Sequence, residues 1–200
     1  MKQPLGVILA GGQATRMGGG DKGLLGLGGR TVLDRVIERL SPQIADLALN
    51  ANGDPARFSA LGLPVLPDSI GGYAGPLAGV LAGLDWAAER GAETIVTAAA
   101  DTPFFPCDLV PQLLLASEGM AQPLVLAATP DPERGRARHP TFGLWPVGLR
   151  DDLRASLEEG TRKVVLWTDR HGGREALFPD PEAFFNINTR ADLSRAEAML

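Results

Sequence analysis

Apolar positions along this chain follow two alternating rhythms. Leu5 to Ala10 is a short continuous apolar run closed by glycines, the pattern of a buried strand. Val32, Leu33, Val36, Ile37 and Leu40 then recur at helical spacing. They predict a helix capped by Thr31, with Asp34 in its positive first turn. The alternation continues with strands at Leu47 to Asn50 and Leu63 to Leu66 and helices at Pro55 to Leu61 and Pro76 to Arg90. A strand at Glu93 to Ala100, a helix at Asp108 to Ala116 and a strand at Pro123 to Ala128 follow. Proline opens two of these helices, where its fixed φ suits the first turn. Repeated βα units predict a mainly parallel sheet with helices on both faces.

Beyond residue 129 the rhythm changes. A polar loop at Asp131 to Arg138 precedes a strand at Pro140 to Trp145, then helices at Leu149 to Glu158 and Arg162 to Trp167. A strand at Phe184 to Ile187 and a helix at Ala191 to Met199 close the pattern. The expectation is an α/β fold in one domain over 1–200, its sheet completed by at least one antiparallel strand.

Composition narrows the function classes. At 200 residues and 44% hydrophobic content, one domain can bury roughly 70% of its unfolded surface. Apolar runs such as Ile95 to Ala100 stop well short of the roughly 20 residues a membrane helix needs. The opening residues offer no separate apolar segment with a small-residue cleavage site, so a cytoplasmic location is expected. The formal charge of −5 argues against a general nucleic-acid surface. The single cysteine, Cys107, reads as a small buried residue in a reducing compartment.

The candidate chemistry gathers in the loop after the first strand. Six glycines stand among residues 11–23, with Arg16 and Lys22 between them. Glycines bring backbone N–H groups close to an anion, and the two cations add charge. The loop lies at the carboxyl edge of the expected sheet, where open α/β folds bind ligands. Gly18 to Gly23 formally matches a dinucleotide fingerprint, but seven residues separate it from the glycines' strand, whereas that motif follows its strand directly. Lys22 lies between Asp21 and Gly23, which excludes a Walker A loop. Asp101 ends another apolar strand before Thr102-Pro103. A carboxylate there can hold Mg²⁺ together with substrate phosphates and water. Asn50 and Asp68 also follow strands and offer donors and acceptors for a base or ribose.

Taken together, Leu9-Ala10-Gly11-Gly12, Arg16-Met17-Gly18-Gly19 and Asp21-Lys22-Gly23-Leu24-Leu25 closely resemble the signature of molybdenum cofactor guanylyltransferases. The resemblance continues through Asn50-Ala51-Asn52, Pro67-Asp68-Ser69, Gly75 to Gly79, Asp101-Thr102-Pro103, His139-Pro140-Thr141 and Asn186 to Thr189. It implies a three-layer Rossmann-like nucleotidyltransferase fold, with a nucleotide-binding part over about 1–129 and an acceptor-binding part over about 130–200. Gly11 and Asp21 favour the guanylyl branch over relatives carrying Leu-Ala-Ala-Gly and Pro-Lys. Arg190 stands where the family often has proline, and Ala100 where cysteine is frequent.

The resemblance implies transfer of GMP from GTP to the terminal phosphate of molybdopterin, with release of pyrophosphate. Use of CTP, a sugar-phosphate acceptor, or a non-catalytic nucleotide-binding adaptor role are the competing readings. The implied catalytic residues are Arg16, Lys22 and Asp101, with Asp101 as ligand to Mg²⁺. Leu9, Ala10, Gly11, Gly12, Lys22, Asn50, Asp68 and Asp101 would bind the nucleotide. His139, Asn186, Asn188, Arg162 and Lys163 would face the acceptor. Implied partners are GTP, molybdopterin, and molybdoenzymes or cofactor-biosynthesis proteins, with neither nucleic acid nor membrane. A phosphate monoester acceptor, with its second pKa near 6, is largely dianionic at neutral pH and needs no strong general base.

Overall fold

The structure is a computed structural model that describes residues 2–11, 22–72 and 75–200. Gly12 and Arg16 lie outside the described residues, so nothing structural attaches to their expected roles.

The sheet grows from the short apolar runs. β1 (Leu5–Leu9) is buried at every position and lies between β4 (Leu47–Asn50) and β6 (Thr94–Ala99), parallel to both. Outside β4 lies β5 (Val65–Leu66), also parallel. On the other side, β8 (Gly135–Pro146) runs antiparallel between β6 and β7 (Val125–Asp131), and β9 (Arg174–Leu177) pairs parallel with β7 at the edge. The order is β5-β4-β1-β6-β8-β7-β9, with β8 as the antiparallel member. A separate small hairpin pairs β2 (Gly26–Leu27) with β3 (Arg30–Thr31).

Helices cover both faces, as the periodicity predicts. α1 (Val32–Leu40) and α3 (Leu109–Ala116) bury Leu33, Val36, Leu40, Leu109 and Leu113 on one face. α2 (Pro76–Glu89), α4 (Arg150–Glu158) and α5 (Val164–Arg170) bury Leu77, Leu81, Leu84, Leu153, Leu157 and Trp167 on the other. α6 (Arg190–Ala198) joins Leu27, Val32 and Ile187 in a smaller cluster. Thr31 caps α1 in a reciprocal capping box with Asp34, which satisfies two otherwise unpaired backbone donors. α2 lies close on the sheet because Gly79 and Gly83 carry no side chain. A Cβ at Gly83 would meet Val7 and Ile95 side chains at 2.8 Å.

Several local expectations are corrected. Phe184 to Ile187 is not a strand: its aromatic and β-branched residues carry a strand signal, but Ile187 N–H donates to Asp101 O at 2.8 Å instead of entering a ladder. Asp131 to Arg138 is a tight hairpin rather than a loop. The Asp131 carboxylate accepts from the N–H groups of Glu133 and Arg134, and Gly135 takes φ 76°. The helix expected over residues 55–61 is present and is of the 3₁₀ type, whereas the helix expected from Arg162 begins at Val164. Cys107 is exposed, with Arg39 Nη1 3.2 Å from its Sγ. Phe105, fully buried two residues earlier, takes the interior place.

Candidate active site

The carboxyl ends of β1, β4, β5 and β6 open onto one cavity of about 330 Å³. The parallel register produces this convergence, because ladder bonds continue past the strands. Ala10 N–H donates to Asn50 O, Ala51 N–H to Leu66 O, and Ala100 N–H to Leu9 O, at 2.9–3.1 Å. Leu9, Ala10, Gly11, Lys22, Asn50, Asp68 and Asp101 therefore line a common space. Gly75, at φ 73° and ψ −161°, turns the chain into α2, whose first residue Pro76 also faces the cavity. That backbone angle pair is accessible essentially only to glycine.

Asp101 stands in the turn after β6. Burial pushes its carboxyl above the usual range, opposed by the Thr102 hydroxyl and by the Lys22 ammonium charge. Thr102, itself fully buried, places Oγ1 3.2 Å from Asp101 Oδ1 and 2.7 Å from Asn186 Oδ1. Lys22 Nζ donates to Asn188 Oδ1 at 2.8 Å. The Asn186 to Asn188 segment thus meets both charged residues on this side of the cavity.

The opposite wall is an amide and carboxylate network. Asn50 Nδ2 donates to Leu66 O at 3.1 Å and to Asp68 Oδ1 at 2.9 Å. Both of its amide hydrogens are thereby used inside the protein, and the side chain is only 2% exposed. Asn52 Nδ2 donates to Asp68 Oδ2 at 2.7 Å, while its Oδ1 accepts from Asp68 N–H at 2.9 Å. Next to Asp68, Ser69 Oγ donates to Asp85 Oδ2 at 2.6 Å, and Asp85 is held in turn by Arg154.

The residues expected at the acceptor separate into groups. Asn186 lines the cavity, together with Thr141 of β8. Asn188 holds Lys22 instead of lining it. His139 lies back from the cavity, stacked on Phe184 at 4.3 Å, with Nε2 2.9 Å from Thr129 Oγ1. Burial lowers its pKa to about 4, so the ring is neutral at physiological pH. Arg162 donates to the carbonyls of Leu157 and Thr161 at the end of α4, and Lys163 is an exposed residue at the start of α5. Phe58, Thr102 and Thr141 carried no assignment from the sequence. Thr102 and Thr141 sit inside the motifs named above, but only the structure shows that Thr141 faces the cavity while Thr102 lies buried beside Asp101.

Among the described residues no group of three or more His, Cys, Asp and Glu side chains is placed to hold a metal ion. No described helix is long and apolar enough to cross a membrane.

Comparison with known proteins places the chain in a family. The family described as MobA-like NTP transferase domain matches residues 6–172. A molybdenum cofactor guanylyltransferase of Cereibacter sphaeroides is 53% identical over 98% of this chain and 96% of its own. The protein of that name in Mesorhizobium japonicum is 50% identical over 98% and 95%. Among solved structures, molybdopterin-guanine dinucleotide biosynthesis protein A of Archaeoglobus fulgidus superposes with a TM-score of 0.70 at 24% identity, covering 98% of this chain and 97% of that one. A 4-diphosphocytidyl-2C-methyl-D-erythritol synthase of Anaerococcus prevotii reaches 0.76 at 16% identity, covering 99% and 96%. The fold is therefore common to proteins of different names, while the sequence identity is specific. With about half of its residues shared along nearly the full length of such relatives, the chain belongs to the molybdenum cofactor guanylyltransferases within the MobA-like NTP transferase family.

Proposed function

We propose that the chain transfers the guanylyl group of GTP to the terminal phosphate of molybdopterin. An oxygen of that phosphate attacks the α-phosphorus, the bond to the β-phosphate bridging oxygen breaks, and pyrophosphate leaves. The observation that carries the reading is the meeting of Lys22, Asp68 and Asp101 on one cavity. Phosphoryl transfer asks chiefly for positioning and charge neutralisation. Lys22 would neutralise triphosphate oxygens, and the first turn of α2, which has no side-chain cap, adds the positive end of a 14-residue helix. Asp68 would receive donors of the ribose or base. The acceptor dianion would enter beside Asn186 and Thr141, within the part formed by about residues 130–200. Neutral His139 is too withdrawn to act as a base, in keeping with an acceptor that needs none.

A divalent cation fits the donor set. Asp101 is a desolvated carboxylate whose charge is only partly eased by Thr102 and Lys22, and one carboxylate together with phosphate oxygens and water is a common Mg²⁺ environment. Magnesium held there by Asp101 would supply charge neutralisation for the departing pyrophosphate. We take the cytoplasm, where GTP is available, as the compartment.

The test is product formation from molybdopterin with magnesium and either GTP or CTP. Guanylylated product and pyrophosphate with GTP alone are expected, and turnover with CTP alone would reject the reading. Asp101→Asn should fold and lose at least ~100-fold in turnover, as removal of a transition-state charge contact does. Unchanged turnover would dismiss its role.

A further inference from the structure

Asp68 is held more tightly than a turn aspartate requires. The planar carboxamide of Asn52 grips it at both ends, accepting from its backbone N–H at 2.9 Å and donating to Oδ2 at 2.7 Å. Asn50 donates to Oδ1 at 2.9 Å. Each carboxylate oxygen thus receives one amide hydrogen and keeps acceptor capacity for a further donor. Asn52 is fixed in its turn, since Gly53 adopts φ 85° and Arg57 Nη2 donates to Asn52 O at 2.6 Å. Asn52 is not among the side chains lining the cavity, whereas Asp68 is.

We infer that Asn52 is a positioning residue for nucleotide recognition. It presents the Asp68 carboxylate as a fixed two-oxygen acceptor for a pair of donors on the nucleotide, either the vicinal ribose hydroxyls or guanine N1–H and the 2-amino group. The inference rests on the nucleotidyl-transfer reading above. One amide bonding to both the backbone and the side chain of Asp68 restricts its rotation, so the acceptor direction is set before the ligand arrives. Preorganisation of this kind acts on affinity, because less ordering is left to the binding step.

Asn52→Asp separates positioning from mere support. It is nearly isosteric and keeps the oxygen that accepts from Asp68 N–H, but it sets a second carboxylate against Asp68 Oδ2. GTP binding by calorimetry should weaken about tenfold or more at about pH 8, because two abutting carboxylates turn apart. Turnover at saturating GTP should stay within about threefold, since the chemical step lies on the other wall. Affinity should return as pH is lowered and the abutting pair takes up a proton. Asn52→Ala should bind weakly without that recovery, and it serves alone should N52D fail to fold.

Two analogues identify the donors. If Asp68 reads the ribose, the loss caused by the Asn52 variants shrinks with 2′-deoxyGTP, which has one donor of the pair fewer; if it reads guanine, the loss shrinks with ITP. Equal losses with GTP, 2′-deoxyGTP and ITP would overturn the inference, as would unaltered GTP affinity in a folded variant. Wild type that binds CTP and rejects GTP would sink the guanylyl reading alone, and the Asn52 variants would then be read with CTP and 2′-deoxyCTP. Wild type that binds neither nucleotide overturns both.

Discussion

Gly79→Ala is the most informative single-atom perturbation of this fold. Gly79 lies on the face of α2 turned to the sheet, and a Cβ there would stand 2.2 Å from Asn50 Oδ1, 2.9 Å from Asn50 Cγ and 2.9 Å from Leu9 Cδ2. The carboxamide must move, yet its nitrogen is held by Leu66 O and Asp68 Oδ1. Overpacking of this kind costs about 1–3 kcal/mol. A lost hydrogen bond to a charged group costs about 1.5–3 kcal/mol more. Alanine in a helix interior returns about 1 kcal/mol relative to glycine. The net loss is on the order of 1.5–5 kcal/mol, or roughly 3–20 °C in Tm for a domain of this size. With one of its two carboxylate bonds gone, Asp68 should bind nucleotide at least ~10-fold more weakly. Gly83→Ala is the control: its Cβ meets the apolar side chains of Val7 and Ile95, so it should cost stability and leave GTP affinity alone. Thermal melts and calorimetric GTP titrations of both variants decide the matter. Full affinity in Gly79→Ala, or an equal loss in Gly83→Ala, would refute the chain from helix contact to Asn50 to Asp68.

Thr31→Ala removes one side of the α1 capping box and should lower stability by about 1 kcal/mol, read as a shift in the urea midpoint at unchanged slope. His139 adds a pH dependence. Its folded pKa of about 4 lies below its ordinary 6.5, so the unfolded chain takes up the proton first. The stabilisation is complete above 6.5 and is lost as pH falls towards 4. Discounted for the half-buried ring, that loss is about 1–2 kcal/mol. It should be absent from His139→Phe, which keeps an aromatic ring beside Phe184, and equal acid sensitivity in the two proteins would contradict this account.

The first two thirds of the fold were legible because each buried strand there is a short, mostly apolar run and the long helices repeat at their own period. β9 escaped notice for a physical reason. It is an edge strand, and Arg174 and Glu175 project polar groups, with Glu175 paired to Arg136 and Arg138. Its charges hide the alternation that marks a half-buried strand. Phe184 to Ile187 misled in the opposite direction, since Phe184 packs onto His139, Phe142 and Phe178 and Phe185 under Arg195, without any strand partner. In the site, Lys22, Asp68 and Asp101 were visible as polar residues following or joining apolar strands. Asn52 and Asp85 were not, because what they do lies in distances to Asp68 and Ser69, residues 16 positions away along the chain.

The stitch between Ile187 N–H and Asp101 O, with Thr102 beside Asn186, separates the scaffold from the working cleft in time. Every strand of the main sheet has been delivered once Leu177 is made, yet Asp101 and Lys22 still await Asn186, Ile187 and Asn188. The sheet is thus supplied by residues up to Leu177, while the wall beside Lys22 and Asp101 comes from the residues after it. A chain clipped between Leu177 and Asn186 would keep every strand of the main sheet but lose Phe184 and α6 from the core and the contacts that reach Lys22 and Asp101.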